Sequence, residues 1–256
     1  HRTVKQRYKD IKVDLDGYLK DSCEVYVYGS PDFTFEDFCG DKLGDVKKKY
    51  PQMITDTGED IIKISDYNRL MKLYGRKQYT LASDEYMVIA DFDNMMQLRD
   101  EVLSSGQTIE VFGSTLKPKY RKCQEGFLDI SAQSLNTGII LVPDDVVQEK
   151  WIKQDCLFGN YKAVSKQEKQ KLEKEIRSSS LKGKYIYASK QELADASLGL
   201  SALVTFIGLY LGIVFLMAGA AILALKELSE SADNVERYRM LRKLGVENKM
   251  LNGALF

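Results

Sequence analysis

The sequence predicts an α+β domain with a mixed sheet and helices over residues 1–190. A long transmembrane helix over 191–225 and a short amphipathic helix within 226–256 complete the fold class. Three observations lead there. From Ser197 to Leu225, 29 consecutive residues include no Asp, Glu, Lys, Arg or His, whereas the stretch before them is rich in charge throughout. A hydrocarbon core of ~30 Å needs ~20 apolar residues in a helix, so this run is long enough to span it. Upstream, β-branched and aromatic runs alternate with helical patterns, and downstream both signs of charge return at once at Lys226.

Taken in order, the first element is an amphipathic stretch followed by a strand in which Val25 and Val27 alternate with Tyr26 and Tyr28, broken at Gly29-Ser30-Pro31. Ile61 to Ile64 predict a second strand. Ser65 then reads as an N-cap, Tyr67, Leu70, Met71 and Tyr74 recur at helical spacing, and Gly75 ends the helix. Tyr86 to Ala90 predict the next strand. The runs QTIEVFG, GFLDISA and TGIILVP read as further strands, with Pro143 opening a helix around PDDVVQEKWI. Ser165 and Glu168 form a capping-box pair before a helix, KYIYAS reads as a closing strand, and Ser189 and Glu192 repeat the capping spacing just before the apolar run. No Gly/Ser-rich or Pro-rich linker separates domain from helix, which predicts a coupled junction rather than a swinging tether.

The apolar run lies near the C-terminal end, where a cleaved signal peptide would not be, and it is too long for an ordinary core helix. Gly199, Gly208, Gly212 and Gly219 lie inside it, and Gly208 and Gly212 have the GxxxG spacing that lets membrane helices approach closely. Helix packing through these two glycines is the expectation. The alternative is that glycine is simply common in such helices.

Composition narrows the chemistry. With 37 basic and 37 acidic residues the net charge is zero, which gives no general basic field for nucleic acid. Only one histidine occurs, His1, so His-based triads and His-rich metal sites are not expected, and no P-loop or GxGxxG motif supports nucleotide binding. We expect no enzyme activity and no cofactor in this chain. The acid pairs Asp91/Asp93 and Asp144/Asp145 fall at strand ends and helix starts, where carboxylates accept from backbone amides. Cys23, Cys39, Cys123 and Cys156 lack zinc-site spacing; one or two disulfides or four free thiols both fit the sequence. Fifteen tyrosines could build either a recognition surface or a core. The opening on His1 without Met, and the stop at Phe256 without a helix-ending signal, predict a piece of a longer polypeptide.

Orientation follows the excess of Lys and Arg at the helix ends. Residues 177–197 hold four and residues 226–245 hold five, a small lean toward a cytoplasmic C-terminal side and an extracellular 1–190. Past Lys226 a helix is predicted to begin near Asp233, with Val235, Tyr238 and Leu241 on one face and Gly245 as its C-cap. It could lie on anionic headgroups or dock in a partner's groove.

The residues from Ala221 to Leu251 resemble the FtsX-like permease family of ABC transporters, specifically the bacitracin-export type. The likeness rests on a helix running into a Lys-Glu-Leu-Ser turn, an acidic step, and an E-R-Y-x-x-L-R-K-x-G segment, here Glu236, Arg237, Tyr238, Leu241, Arg242, Lys243 and Gly245. It covers about thirty residues; in the domain it is one of size and placement. The resemblance implies a multi-pass permease of the bacterial cell membrane, with 1–190 as its extracellular domain and 226–256 as the segment coupling to partner ATPase subunits that hold ATP and Mg. It further implies resistance to, and sensing of, cell-wall-targeting antimicrobial peptides, with a membrane histidine kinase as a possible partner and the peptide or its lipid complex as ligand. Within the family, mechanotransmission for lipoprotein or peptidoglycan-hydrolase control is an alternative. Outside it, the alternative is a single-span receptor.

Overall fold

A computed structural model describes residues 2–30, 32–51, 56–129, 136–162, 164–179, 181, 183–185, 187–245 and 250. The chain divides into two units, His1–Lys190 and Gln191–Phe256. The first unit holds strands β1 (Leu19–Tyr28), β2 (Asp60–Lys63), β3 (Glu85–Ala90), β4 (Ile109–Val111), β5 (Ser114–Pro118), β6 (Gln124–Glu125), β7 (Ile139–Val142) and β8 (Ile152–Tyr161). They form one mixed sheet in the order β4-β5-β3-β7-β2-β1-β8, with β6 beside β3. The pairs β2/β7, β3/β5 and β3/β6 are parallel; β1/β2, β1/β8, β3/β7 and β4/β5 are antiparallel.

The central strands β2, β3 and β7 are buried on both faces, because side chains alternate across a strand and both sets are apolar there, whereas the edge strand β8 has no fully buried residue. On one face Ile61, Tyr86, Val88, Ile140 and Val142 pack with helix α3 (Phe35–Cys39), Val46 of α4 (Leu43–Lys49), and Leu98, Val102 and Leu103 of α6 (Asp93–Ser104). On the other, Val25, Val27, Ile62, Met87, Ile89 and Leu141 pack with Tyr67, Leu70 and Met71 of α5 (Ile64–Tyr74). The expected helical spacing over 67–74 thus marks the inward stripe of α5. A third, smaller core joins Val4 and Tyr8 of α1 (Val4–Asp10), Leu15 of α2 (Leu15–Tyr18), and Leu172 and Ile176 of α7 (Lys166–Ser178), with Leu19, Leu157 and Tyr161 from one end of the β1/β8 pair.

The second unit is dominated by α8 (Lys190–Lys243), 54 residues without a break. At 1.5 Å per residue it is ~80 Å long. It is long and apolar enough to cross a membrane.

Several expectations need correction. Ser65 does not cap α5: the helix begins at Ile64, and the Ser65 N–H donates instead to the Asp144 carboxylate at 3.1 Å, an acid 79 residues away that serves as the cap. The run GFLDISA is not a strand over 126–129, and its last three residues lie outside the described set; the pairing position beside β3 goes to Gln124 and Glu125 instead. PDDVVQEKWI forms a turn and the short 3-10 helix Glu149–Trp151, since Val146 and Val147 are drawn into the core and β8 must start at Ile152. KYIYAS makes no strand among the described residues, its tyrosines packing into the third core. No second helix starts near Asp233, because α8 runs through. Predicted features that do form include the Ser165/Glu168 capping box, with the Glu168 N–H donating to Ser165 Oγ at 3.2 Å, and the left-handed Gly75 at φ 65°.

Candidate functional site

The packing glycines and, except for Gly245, the coupling residues singled out from the sequence lie on α8. Gly208 and Gly212 are one turn apart, and a Cβ at either would meet nothing within 4 Å, so no described neighbour fills the groove they make. The side chains around them are exposed: Leu209 65%, Ile213 49% and Leu216 75%. This is the inverse of a core helix.

The helix passes Leu225 and Lys226 without a break, and Lys226 Nζ lies 3.8 Å from the Glu230 carboxylate one turn on. At ~100° per residue, Tyr238, Leu241 and Arg242 fall within about one third of the circumference. Glu236 and Lys243 fall on the opposite side, and Arg237 lies between. The helix therefore groups three of the seven predicted coupling residues, sets Glu236, Arg237 and Lys243 on other sides, and ends before Gly245. Gly245 has φ +87°, and its N–H donates to the Arg242 carbonyl at 3.1 Å, as expected of a residue just past a helix end. Arg242 and Lys243 occupy the last turn, where cations offset the partial negative charge of the free carbonyls.

Among the described residues no group of three or more His, Cys, Asp or Glu could hold a metal ion. Asp91 accepts from the Asn136 N–H at 2.7 Å and Asp144 from Ser65, so both act on backbone amides. The four cysteines are free, and burial pushes the Cys39, Cys123 and Cys156 thiols up to about 12. Burial also raises Cys23, against the pull of nearby Arg69. Such thiols are inert rather than nucleophilic. The tyrosines settle as core: outside α8 every tyrosine is buried or half-buried.

Two polar arrangements escaped the sequence. Arg99 and Glu59, 3% and 4% exposed, form a buried ion pair in which Nη2 donates to both carboxylate oxygens at 2.9 Å and Nε donates to the Thr137 carbonyl at 2.8 Å. The guanidinium lies 5.0 and 4.9 Å from the ring centres of Phe35 and Phe38. One pair thus ties α3, α6, and the starts of β2 and β7. Gly138 makes room for it, since at φ +138° a Cβ there would come within 2.0 Å of Arg99 Nε. No motif announces this pair, because its members lie 40 residues apart.

The second arrangement surrounds the segment that leads into α8. Tyr185 donates to Asp155 at 3.3 Å and accepts from Arg7, whose guanidinium is itself 2.9 Å from Asp155. The hydroxyls of Tyr187 and Tyr161 share a hydrogen bond at 2.6 Å, and Tyr187 donates to Glu173 at 3.1 Å. Ser189 donates to the same Glu173 oxygen at 2.9 Å. Burial raises the pKa of Tyr161, Tyr185 and Tyr187, so all three stay protonated and able to donate. The alternation in YIYAS gave a signal, but it was one of strand period.

No family model matches the chain, and no curated protein matches it.

Proposed function

We propose that this chain is part of an FtsX-like permease of a bacterial ABC transporter, with α8 crossing the cell membrane and residues 1–190 outside. It would serve in resistance to, and sensing of, cell-wall-targeting antimicrobial peptides of the bacitracin or lantibiotic kind. The observation that carries the proposal is the unbroken α8, which continues through Lys226 into the Glu236–Gly245 segment. A helix that continues where charge returns is suited to passing displacement between the two sides of a bilayer. In this reading ATP and Mg are held by partner ATPase subunits, and the domain meets the peptide or its lipid-bound complex. The third core adds support, since the N-terminal helix and the segment entering α8 pack together there.

The test replaces Arg242 and Lys243 by Glu in the full-length protein. Resistance of the host cell to a cell-wall-directed peptide should fall while the protein stays in the membrane fraction. Unchanged resistance would remove the coupling role. A full-length gene with one span and no adjacent ATPase gene would replace the permease by a single-span receptor, and dependence on a peptidoglycan hydrolase would favour mechanotransmission.

A further inference from the structure

Lys190, the first residue of α8, directly follows Ser189, and the described residues Tyr185, Tyr187 and Ser189 each reach into the domain through a side-chain hydroxyl. They reach two separate anchors. Tyr185 engages Arg7 of α1 and Asp155 of β8, with the Tyr8 ring centre 5.9 Å from its own. Tyr187 and Ser189 converge on Glu173 of α7, while the Tyr161 hydroxyl of β8 meets Tyr187 from the other side and the Arg177 guanidinium lies 5.5 Å from the Tyr187 ring centre. None of these groups belongs to the two large cores on the sheet faces. The apolar residues beside them belong to the small third core.

We infer that this segment is a two-point strap, through which movement of α8 enters the domain and which lets go before the sheet does. The physical argument is one of unequal attachment. The sheet is held by continuous backbone ladders and two apolar faces, so opening it exposes much surface at once. The strap depends on a few hydroxyl-to-charge hydrogen bonds around a core with six buried residues. Local opening runs at the lowest free energy where buried apolar area is smallest. Pull on α8 would therefore load Glu173 and Asp155 first, passing force to α7 and β8 while the strap holds and leaving the sheet intact when it releases. Converging two hydroxyls on one carboxylate makes Glu173 the point where a single change weakens both Tyr187 and Ser189.

The strap itself is independent of the permease proposal; its role in transmission rests on it. The test uses the full chain in lipid nanodiscs, comparing Tyr187→Phe, Tyr185→Phe and Glu173→Gln with wild type by hydrogen exchange, alongside peptide resistance in cells. Tyr187→Phe keeps the ring and removes only the hydroxyl. Peptides covering 181–190 should exchange about tenfold faster, the factor expected on losing one charge-assisted hydrogen bond, while peptides from β2, β3 and β7 keep their protection and resistance falls. Unchanged exchange at 181–190, or equal acceleration of the strap and the sheet, would overturn the strap. Faster strap exchange with full resistance would overturn its role in transmission. If wild type confers no resistance, the permease proposal and the transmission role fail together, and the exchange data alone decide the strap.

Discussion

Ile61, Ile140 and Leu141 in the sheet are 0% exposed, whereas Leu209, Ile213 and Leu216 in α8 are between 49% and 75% exposed. The residue types are the same. In the domain, strand alternation places apolar groups on two faces, and helices from distant parts of the chain cover both. In α8 the apolar residues encircle the helix and find no cover among the described residues, which is the composition a bilayer would complete. Charge behaves in the opposite way. The domain buries one full ion pair and surrounds it with rings, while α8 excludes charge for 29 residues and then takes up both signs. The difference teaches that burial here follows partner availability rather than side-chain type.

The largest expected effect breaks the domain side of this comparison. Arg99→Ala leaves Glu59 buried without its partner and should destabilise the domain by about 3–5 kcal/mol. Chemical denaturation followed by near-UV circular dichroism measures it, and a loss below 1 kcal/mol, roughly the surface-pair value, would show that water reaches the pair. Next, charge placed in the apolar run should break the helix side alone. Ile213→Lys costs about 2.5–3.5 kcal/mol at the centre of a spanning helix, so Ile213→Lys with Leu216→Lys should move the chain out of the membrane fraction. The domain's near-UV spectrum should stay unchanged; retention in the membrane would sink the spanning proposal.

A smaller effect sharpens the account of α7. Ser165→Ala should cost about 1 kcal/mol at neutral pH, the usual value of an N-cap. The Glu168 carboxyl is held below its ordinary value, first by the Ser165 backbone N–H and then by the Ser165 hydroxyl. With a depressed folded value, its contribution is present above the unfolded Glu value of about 4.3 and is lost as pH falls through the folded value. The part of the difference between wild type and Ser165→Ala that comes from the Ser165 hydroxyl donating to the Glu168 carboxylate should therefore be lost in acid, and a constant difference would leave the Glu168 N–H bond to Ser165 Oγ as its only source. The subtlest test concerns the thiols. Because burial pushes Cys39, Cys123 and Cys156 up to about 12, a thiol reagent at pH 8 should modify native protein slowly and take up four equivalents once urea unfolds it. Rapid native labelling would contradict this packing.

The legible parts of the fold were those set by neighbours in sequence. The stripe of Tyr67, Leu70 and Met71, the Ser165 cap and the turn at Gly75 depend on spacing within a few residues. The unbroken α8 was legible only as far as Leu225, because the returning charges mimic a helix start near Asp233 although a helix interior tolerates them equally well. Ser65 misled for a related reason: its own side chain suits a cap, but the acceptor that does the work, Asp144, comes from the end of the neighbouring strand β7, far away only in sequence.

By itself, then, the sequence determined the division near residue 190, the mixed strands and helices before it, and an apolar helix after it, since each follows from local pattern and from the solvent that pattern demands. Only the tertiary structure decided that β7 runs parallel to β2 and antiparallel to β3, that Arg99 meets Glu59, and that Tyr185 and Tyr187 grip α1, α7 and β8. These are pairings between residues tens of positions apart. Their energies depend on which groups the folded backbone leaves together out of water, and no periodicity along the chain records that.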